Sequence, residues 1–192
     1  FHIKTVGTTI KKELYNEYKK YIHSLVTIQP SSKKSKVVVD AGNGMEGLIF
    51  PIIADGLPIE VIEKCFELDD TFPFHEANPI KSENLQLIKK TILEERADFG
   101  VAFDADGDRI IFVDEKGNHI NPSIISAILM SQYFNNQKIV YNSVCSRIIN
   151  DTAVTYNITA YREKVGHSFI KKKMKEIQAV FGCEHSGHYF YK

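Results

Sequence analysis

Short β-branched or aromatic runs, each closing on polar residues and followed by a helical period, constrain this chain more than any other feature. Val37-Val38-Val39 runs into Asp40-Ala41-Gly42-Asn43-Gly44 and then into helix-forming sequence, the opening of a βα unit. Residues 59–62 read as the next strand. Ser82 is expected to cap a helix through about residue 95, with Leu85, Ile88 and Ile92 inward, and Phe99-Gly100-Val101-Ala102-Phe103 follows as a buried strand. Residues 110–113 resume strand character before a turn at Asp114-Glu115-Lys116-Gly117-Asn118. The alternation then repeats: helix 123–134, strand 139–141, helix 147–154, strand 159–161, helix 168–177 and a closing strand at Val180-Phe181. Upstream, Ile10, Leu14, Tyr18, Ile22 and Leu25 fall at helical spacing and predict an amphipathic helix over 9–26. Pro30-Ser31-Ser32-Lys33-Lys34-Ser35 then reads as a linker before a new domain.

A length of 192 residues accommodates one large or two small domains, and a hydrophobic fraction of 43% suffices for buried cores. Lys plus Arg balances Asp plus Glu at 24 each, so no net field attracts nucleic acid or an anionic membrane. Cys65, Cys145 and Cys183 are odd in number and lack C-x-x-C spacing, which argues against a disulfide framework or a zinc site and for a reducing cytoplasm. No apolar run approaches the roughly 20 residues of a membrane span. The chain begins at Phe1 rather than Met and without signal-peptide character, so a processed product or an excised fragment is expected.

The sharpest chemical signal is Asp104-Ala105-Asp106-Gly107-Asp108-Arg109 at the end of the Phe99–Phe103 run. Alternating residues of an extended loop aim Asp104, Asp106 and Asp108 at one point, and three negative charges there need a cation. Carboxylate oxygens favour a hard ion, and a site left open to phosphate favours Mg2+ over a calcium cage. A calcium EF-hand is rejected because Arg109 stands where that loop needs glycine. An aspartate-nucleophile phosphatase is disfavoured too, because Asp114 and Asp151 form no paired acidic motif downstream.

Gly42-Asn43-Gly44-Met45-Glu46-Gly47 matches the dinucleotide-binding fingerprint, with Glu60 and Glu63 downstream. An NAD-binding oxidoreductase is therefore the competing enzyme class. Against it, Asp40 puts a carboxylate near the pyrophosphate position, and Pro51 is expected to interrupt the following helix. Near the end, Glu184-His185-Ser186-Gly187-His188 concentrates a carboxylate, a hydroxyl and two imidazoles, groups suited to sugar hydroxyls. Lys164-Val165-Gly166-His167 opens a helix where a cation, an imidazole and backbone N–H groups suit a phosphate. Lys171-Lys172-Lys173 reads as a solvated helix face.

The aspartate loop and the Glu184–His188 loop, about 75 residues apart, together resemble the α-D-phosphohexomutase family, and the similarity runs from about residue 10 to the end. The resemblance implies an α/β protein with two consecutive three-layer domains of phosphohexomutase type and mixed sheets, the second incomplete. Residues 1–32 would be the tail of a first domain and a linker, 33–119 a second domain carrying the metal loop, and 120–192 a truncated third domain carrying the sugar loop. It also implies Mg2+ on Asp104, Asp106 and Asp108, with Arg109 near the transferred phosphoryl group. Lys164, His167, Glu184, Ser186, Gly187 and His188 would face the substrate. The implied partners are a hexose phosphate and its bisphosphate, and the phosphoryl donor is a phosphoserine on a first domain not represented here, so the fragment alone is expected to be inactive. Cys183 stands where many members have Gly, and Val144 where some carry a substrate-facing Lys. The Glu184–Tyr189 stretch is more similar to phosphomannomutases and phosphoglucomutases than to phosphoglucosamine mutases.

Overall fold

A computed structural model describes residues 7–27 and 33–192. The stretch 30–32 of the expected linker lies outside the described residues. Helix α1 spans Tyr15–Ser24, strand β1 Ser35–Asp40, helix α2 Glu46–Ala54 and strand β2 Ile59–Lys64. A 3-10 turn over Ser82–Leu85 leads into α3, Gln86–Glu95, followed by β3, Phe99–Phe103, β4, Ile110–Asp114, and β5, His119–Ile120. The second set comprises α4, Pro122–Tyr133, β6, Lys138–Asn142, α5, Ile148–Thr155, and β7, Thr159–Glu163. It ends with α6, His167–Ile177, β8, Phe181–Cys183, and β9, Tyr189–Tyr191.

These strands form two mixed sheets, ordered β2-β1-β3-β4-β5 and β7-β6-β8-β9. In the first, β1 pairs in parallel with β2 and β3, while β4 returns antiparallel. In the second, β6 pairs in parallel with β7 and β8, and β9 returns antiparallel. The period-two alternation of a strand explains the layers. Val37 and Val39 face Phe50 of α2 together with Phe66, Phe103 and Phe112, whereas Val38 faces Leu85, Ile88 and Ile92. Both faces of β1 are thus covered, which is why its centre, Val37-Val38-Val39, is continuously apolar. The second sheet repeats the scheme, with Ile139 and Tyr141 against α4 and α5 and Val140 against Ile170 and Met174 of α6.

Four local expectations are corrected. The first helix starts at Tyr15, not residue 9, and buries no residue. Its capping position, Leu14, offers no side-chain acceptor, and among the described residues Lys19 pairs with Asp55 and His23 contacts the Ile53 carbonyl. Without packing, the turn before Tyr15 has nothing to offset its ordering entropy. Second, Pro51 does not interrupt α2. Phe50 beside it is held in the aromatic cluster with Phe66 and Phe103, so packing outweighs the one lost hydrogen bond. Third, Ser82 lies within the 3-10 turn instead of capping α3. The buried Asn84 draws that turn in by donating to the Asn78 carbonyl. Fourth, the Val180-Phe181 run does not close the sheet, because β8 is interior and β9 pairs outside it.

Candidate active site

The C-terminal ends of parallel strands in an α/β sheet are where ligand-binding loops collect. At the end of β3, Asp104 is buried, and Asp106 and Asp108 are exposed. Oxygens of the three carboxylates lie within 4.8 Å of one another. Asp104 is fixed by Arg109, whose backbone N–H donates to Oδ1 at 3.0 Å and whose Nε donates to Oδ2 at close range. Nη1 of Arg109 reaches Asn78 Oδ1 at 3.4 Å. Three oxygen donors, one buried and two open to solvent, fit a hard divalent cation that keeps part of its water shell.

The glycine loop packs against this site. A Cβ on Gly44 would stand 2.5 Å from the Ala105 carbonyl oxygen, and that same oxygen accepts from Met45 N–H at 2.9 Å. The glycine is needed for contact between two protein loops, and the backbone donor is spent on protein. Just beyond, Glu46 lies against Gly107, and burial first, then the Asp104 charge, pushes its carboxyl up to about 6.

At the end of β8, Glu184 is 2% exposed. Its Oε1 accepts from Asn142 Nδ2 at 3.2 Å and from Gly166 N–H at 2.9 Å, while Oε2 is 3.1 Å from His188 Nδ1. A carboxylate has about four lone-pair sites. Glu184 therefore holds the ends of β6 and β8 and the entrance to α6 together, with capacity left for one more donor. Ser186 Oγ lies 2.8 Å from His188 Nδ1. Lys164 and His167 are exposed at the start of α6, and Lys164 Nζ sits 5.7 Å above the Phe169 ring. They join the cluster only through Gly166. His185 has a buried Nδ1 with no hydrogen-bond partner among the described residues.

The two loops meet. His188 Nε2 is 3.1 Å from Asp108 Oδ1, and Ile110 N–H donates to the Gly187 carbonyl at 3.1 Å. Sequence reasoning missed Glu46, Asn78 and Asn142. Glu46 reads in sequence as a spacer in the glycine fingerprint, although an acid in the first turn of a helix after a strand is a signal. Asn78 and Asn142 carried none, since a lone Asn in a loop is ordinarily a turn former.

Two mixed α/β sheets whose acidic and Glu-Ser-His loops touch define a protein of two successive α/β domains. Residues 16–117 match the phosphoglucomutase/phosphomannomutase alpha/beta/alpha domain II and residues 116–192 match domain III. The chain belongs to the phosphoglucomutase/phosphomannomutase family. It is 35% identical over 189 residues to a phosphomannomutase/phosphoglucomutase of Pseudomonas putida, covering 97% of this chain and 40% of that protein. A phosphoglucomutase/phosphomannomutase family protein from Burkholderia thailandensis superposes with a TM-score of 0.84 at 30% identity, over 94% of this chain and 39% of that one. An N-acetylphosphoglucosamine mutase of Aspergillus fumigatus, solved with GlcNAc-6P and magnesium, shares the fold with a TM-score of 0.62 at 13% identity, over 86% of this chain and 38% of that one. The chain thus spans about 40% of the length of the curated relatives it matches.

Proposed function

We propose that this chain supplies the metal-binding and sugar-binding walls of a phosphohexomutase that interconverts the 1- and 6-phosphates of mannose or glucose. The observation that carries the reading is the contact between His188 and Asp108, which sets the carboxylate loop against the Glu184–His188 loop. A phosphoryl group held by the first loop would thereby face a sugar held by the second. In this reading 33–119 is the second domain and 120–192 the third, with 1–32 leading in. Helix α1 is held to the end of α2, by His23 on the Ile53 carbonyl and Lys19 on Asp55 just beyond it.

Asp104, Asp106 and Asp108 would hold Mg2+, which when bound neutralises charge growing on the transferring phosphoryl oxygens. Arg109, already paired with Asp104, would offer its remaining guanidinium N–H groups to the same oxygens. Glu184, Ser186 and His188 would orient sugar hydroxyls, and Lys164 and His167 would meet the distal phosphate, while Gly187, expected from the sequence to face the substrate, is buried against Ile110 and would hold the loop in place. The phosphoryl donor is a phosphoserine outside these 192 residues. The sugar hydroxyl attacks its phosphorus and the serine oxygen leaves. The bisphosphate then turns over, and its other phosphate returns to serine, so phosphate is conserved. No described helix is long and apolar enough to cross a membrane, and the three free cysteines fit a cytoplasmic setting.

The longer protein to which this chain is assigned should convert glucose 1-phosphate or mannose 1-phosphate to the 6-phosphate with Mg2+ and a trace of hexose bisphosphate. Asp106→Asn should lower kcat by at least about 100-fold, the scale of losing one group that stabilises transition-state charge. A wild-type rate in that variant would remove the metal assignment, and no turnover of either sugar by the unmodified protein would remove the activity.

A further inference from the structure

The ends of β1 and β2 converge on a second cluster that the aspartate loop does not use. Asp40 closes β1 with a fully buried carboxylate, Cys65 follows β2 directly, and His75 enters from the connection to the 3-10 turn. One donor atom from each lies within 4.8 Å of the others. His75 Nε2 is 2.9 Å from Asp40 Oδ2 and 3.9 Å from Cys65 Sγ. Donors sharing one tetrahedral zinc-sized ion, at bond lengths of about 2.0–2.3 Å, stand roughly 3.3–3.6 Å apart, and the observed spacings bracket that range.

Each donor is also oriented by a separate contact with the backbone. His75 Nδ1 lies 3.0 Å from the Glu76 carbonyl, which can only accept, so a neutral ring carries its proton there and turns the Nε2 lone pair toward Cys65 and Asp40. This is the contact that metal-bound imidazoles ordinarily make. Asp40 Oδ1 accepts from Gly42 N–H at 3.0 Å, which leaves Oδ2 facing the cluster. Cys65 is held at a φ of 53°, in the left-handed region, with its carbonyl accepting from Asn43 N–H at 2.7 Å. A non-glycine residue kept in that region is under backbone strain that its surroundings must impose.

We propose that Asp40, Cys65 and His75 bind one borderline divalent cation of the zinc class, separate from the aspartate loop, with water in the fourth position. A thiolate and an imidazole select such an ion over Mg2+, and a thiolate with a carboxylate neutralises its two charges in a buried place. The competing occupant is a proton, since a charged His75 pairs with Asp40 in the same space. An ion there would pin the connection carrying Asn78, and Asn78 receives Arg109 of the active loop.

The test is a Co2+ titration of the metal-free 192-residue chain under a non-coordinating reductant, with excess Mg2+ to occupy the aspartate loop. One equivalent should give tetrahedral visible bands and a thiolate-to-cobalt charge-transfer band, both displaced by Zn2+. Cys65→Ser should abolish the charge-transfer band and weaken binding at least about 100-fold, since losing a ligand costs no less than losing a group that only orients one. Cys145→Ser and Asp106→Asn should keep the band. Should Cys65→Ser misfold, alkylation of the unmodified chain mapped by mass spectrometry replaces it: Zn2+ should protect Cys65 selectively. Absence of the band in the unmodified chain, its survival in Cys65→Ser, or equal alkylation of Cys65 with and without Zn2+ would each overturn the site.

Discussion

Glu46 shows how a single side chain adjusts the charge beside the aspartate loop. Its carboxyl titrates near 6 in the folded chain against 4.5 in the unfolded one, because burial and then Asp104 disfavour its ionised form. Between those values the folded state binds more protons than the unfolded state, so stability falls as pH rises through the window. Above about pH 6 the penalty is complete. Glu46→Gln should therefore stabilise the metal-free chain at pH 7.5 by on the order of 1 kcal/mol, after allowance for partial solvent screening. Urea unfolding should show that gain shrinking toward zero at pH 4.5, and an equal gain at both values would refute the electrostatic account. His75 is the opposite case. Its hydrogen bond to Asp40, helped by Cys65, holds the ring up to about 10, so in the metal-free chain its stabilising share is complete below 6.5 and fades as pH rises toward 10.

At the scale of elements, the aspartate loop is backed by another loop. The turn between β1 and α2 lies directly against the backbone between β3 and β4, with Met45 N–H donating to the Ala105 carbonyl. A methyl on Gly44 would enter that contact at 2.5 Å, against backbone that has no rotamer to move. Gly44→Ala should cost about 2–3 kcal/mol of stability, at the upper end for overpacking. It should also weaken Mn2+ binding to the aspartate loop, read by electron paramagnetic resonance. Unchanged Mn2+ affinity would mean that the carboxylates hold their geometry without the glycine turn. Helix α4 illustrates an element set locally: Asn121 accepts from Ser123 N–H at 2.9 Å and Pro122 occupies the first turn, so its start is written in adjacent residues.

For the whole molecule, the decisive feature is that the two sheets touch through the aspartate loop and the Glu184–His188 loop. Gly187, at a φ of 89°, places its carbonyl on Ile110 N–H, and a Cβ there would stand 2.8 Å from the Ile110 carbonyl oxygen. Gly187→Ala should separate the loops while each sheet keeps its secondary structure. Urea unfolding by circular dichroism should then broaden, with a lower apparent slope than the unmodified chain, as expected when two units no longer unfold together. A wild-type slope would assign the coupling to other contacts. The sequence by itself determined the alternation of strands and helices, because a parallel strand covered on both faces must be a continuous apolar run and the loops that end it must be polar or glycine. It also determined the carboxylate triad and the Glu-Ser-His loop, whose donors are neighbours along the chain. Only the tertiary structure decided that these loops, about 75 residues apart, face each other, that Glu46 and Asn78 approach the first and Asn142 the second, and that β9 extends the second sheet. Those contacts join residues distant in sequence, and strand order and sheet packing, which no local spacing encodes, bring them together.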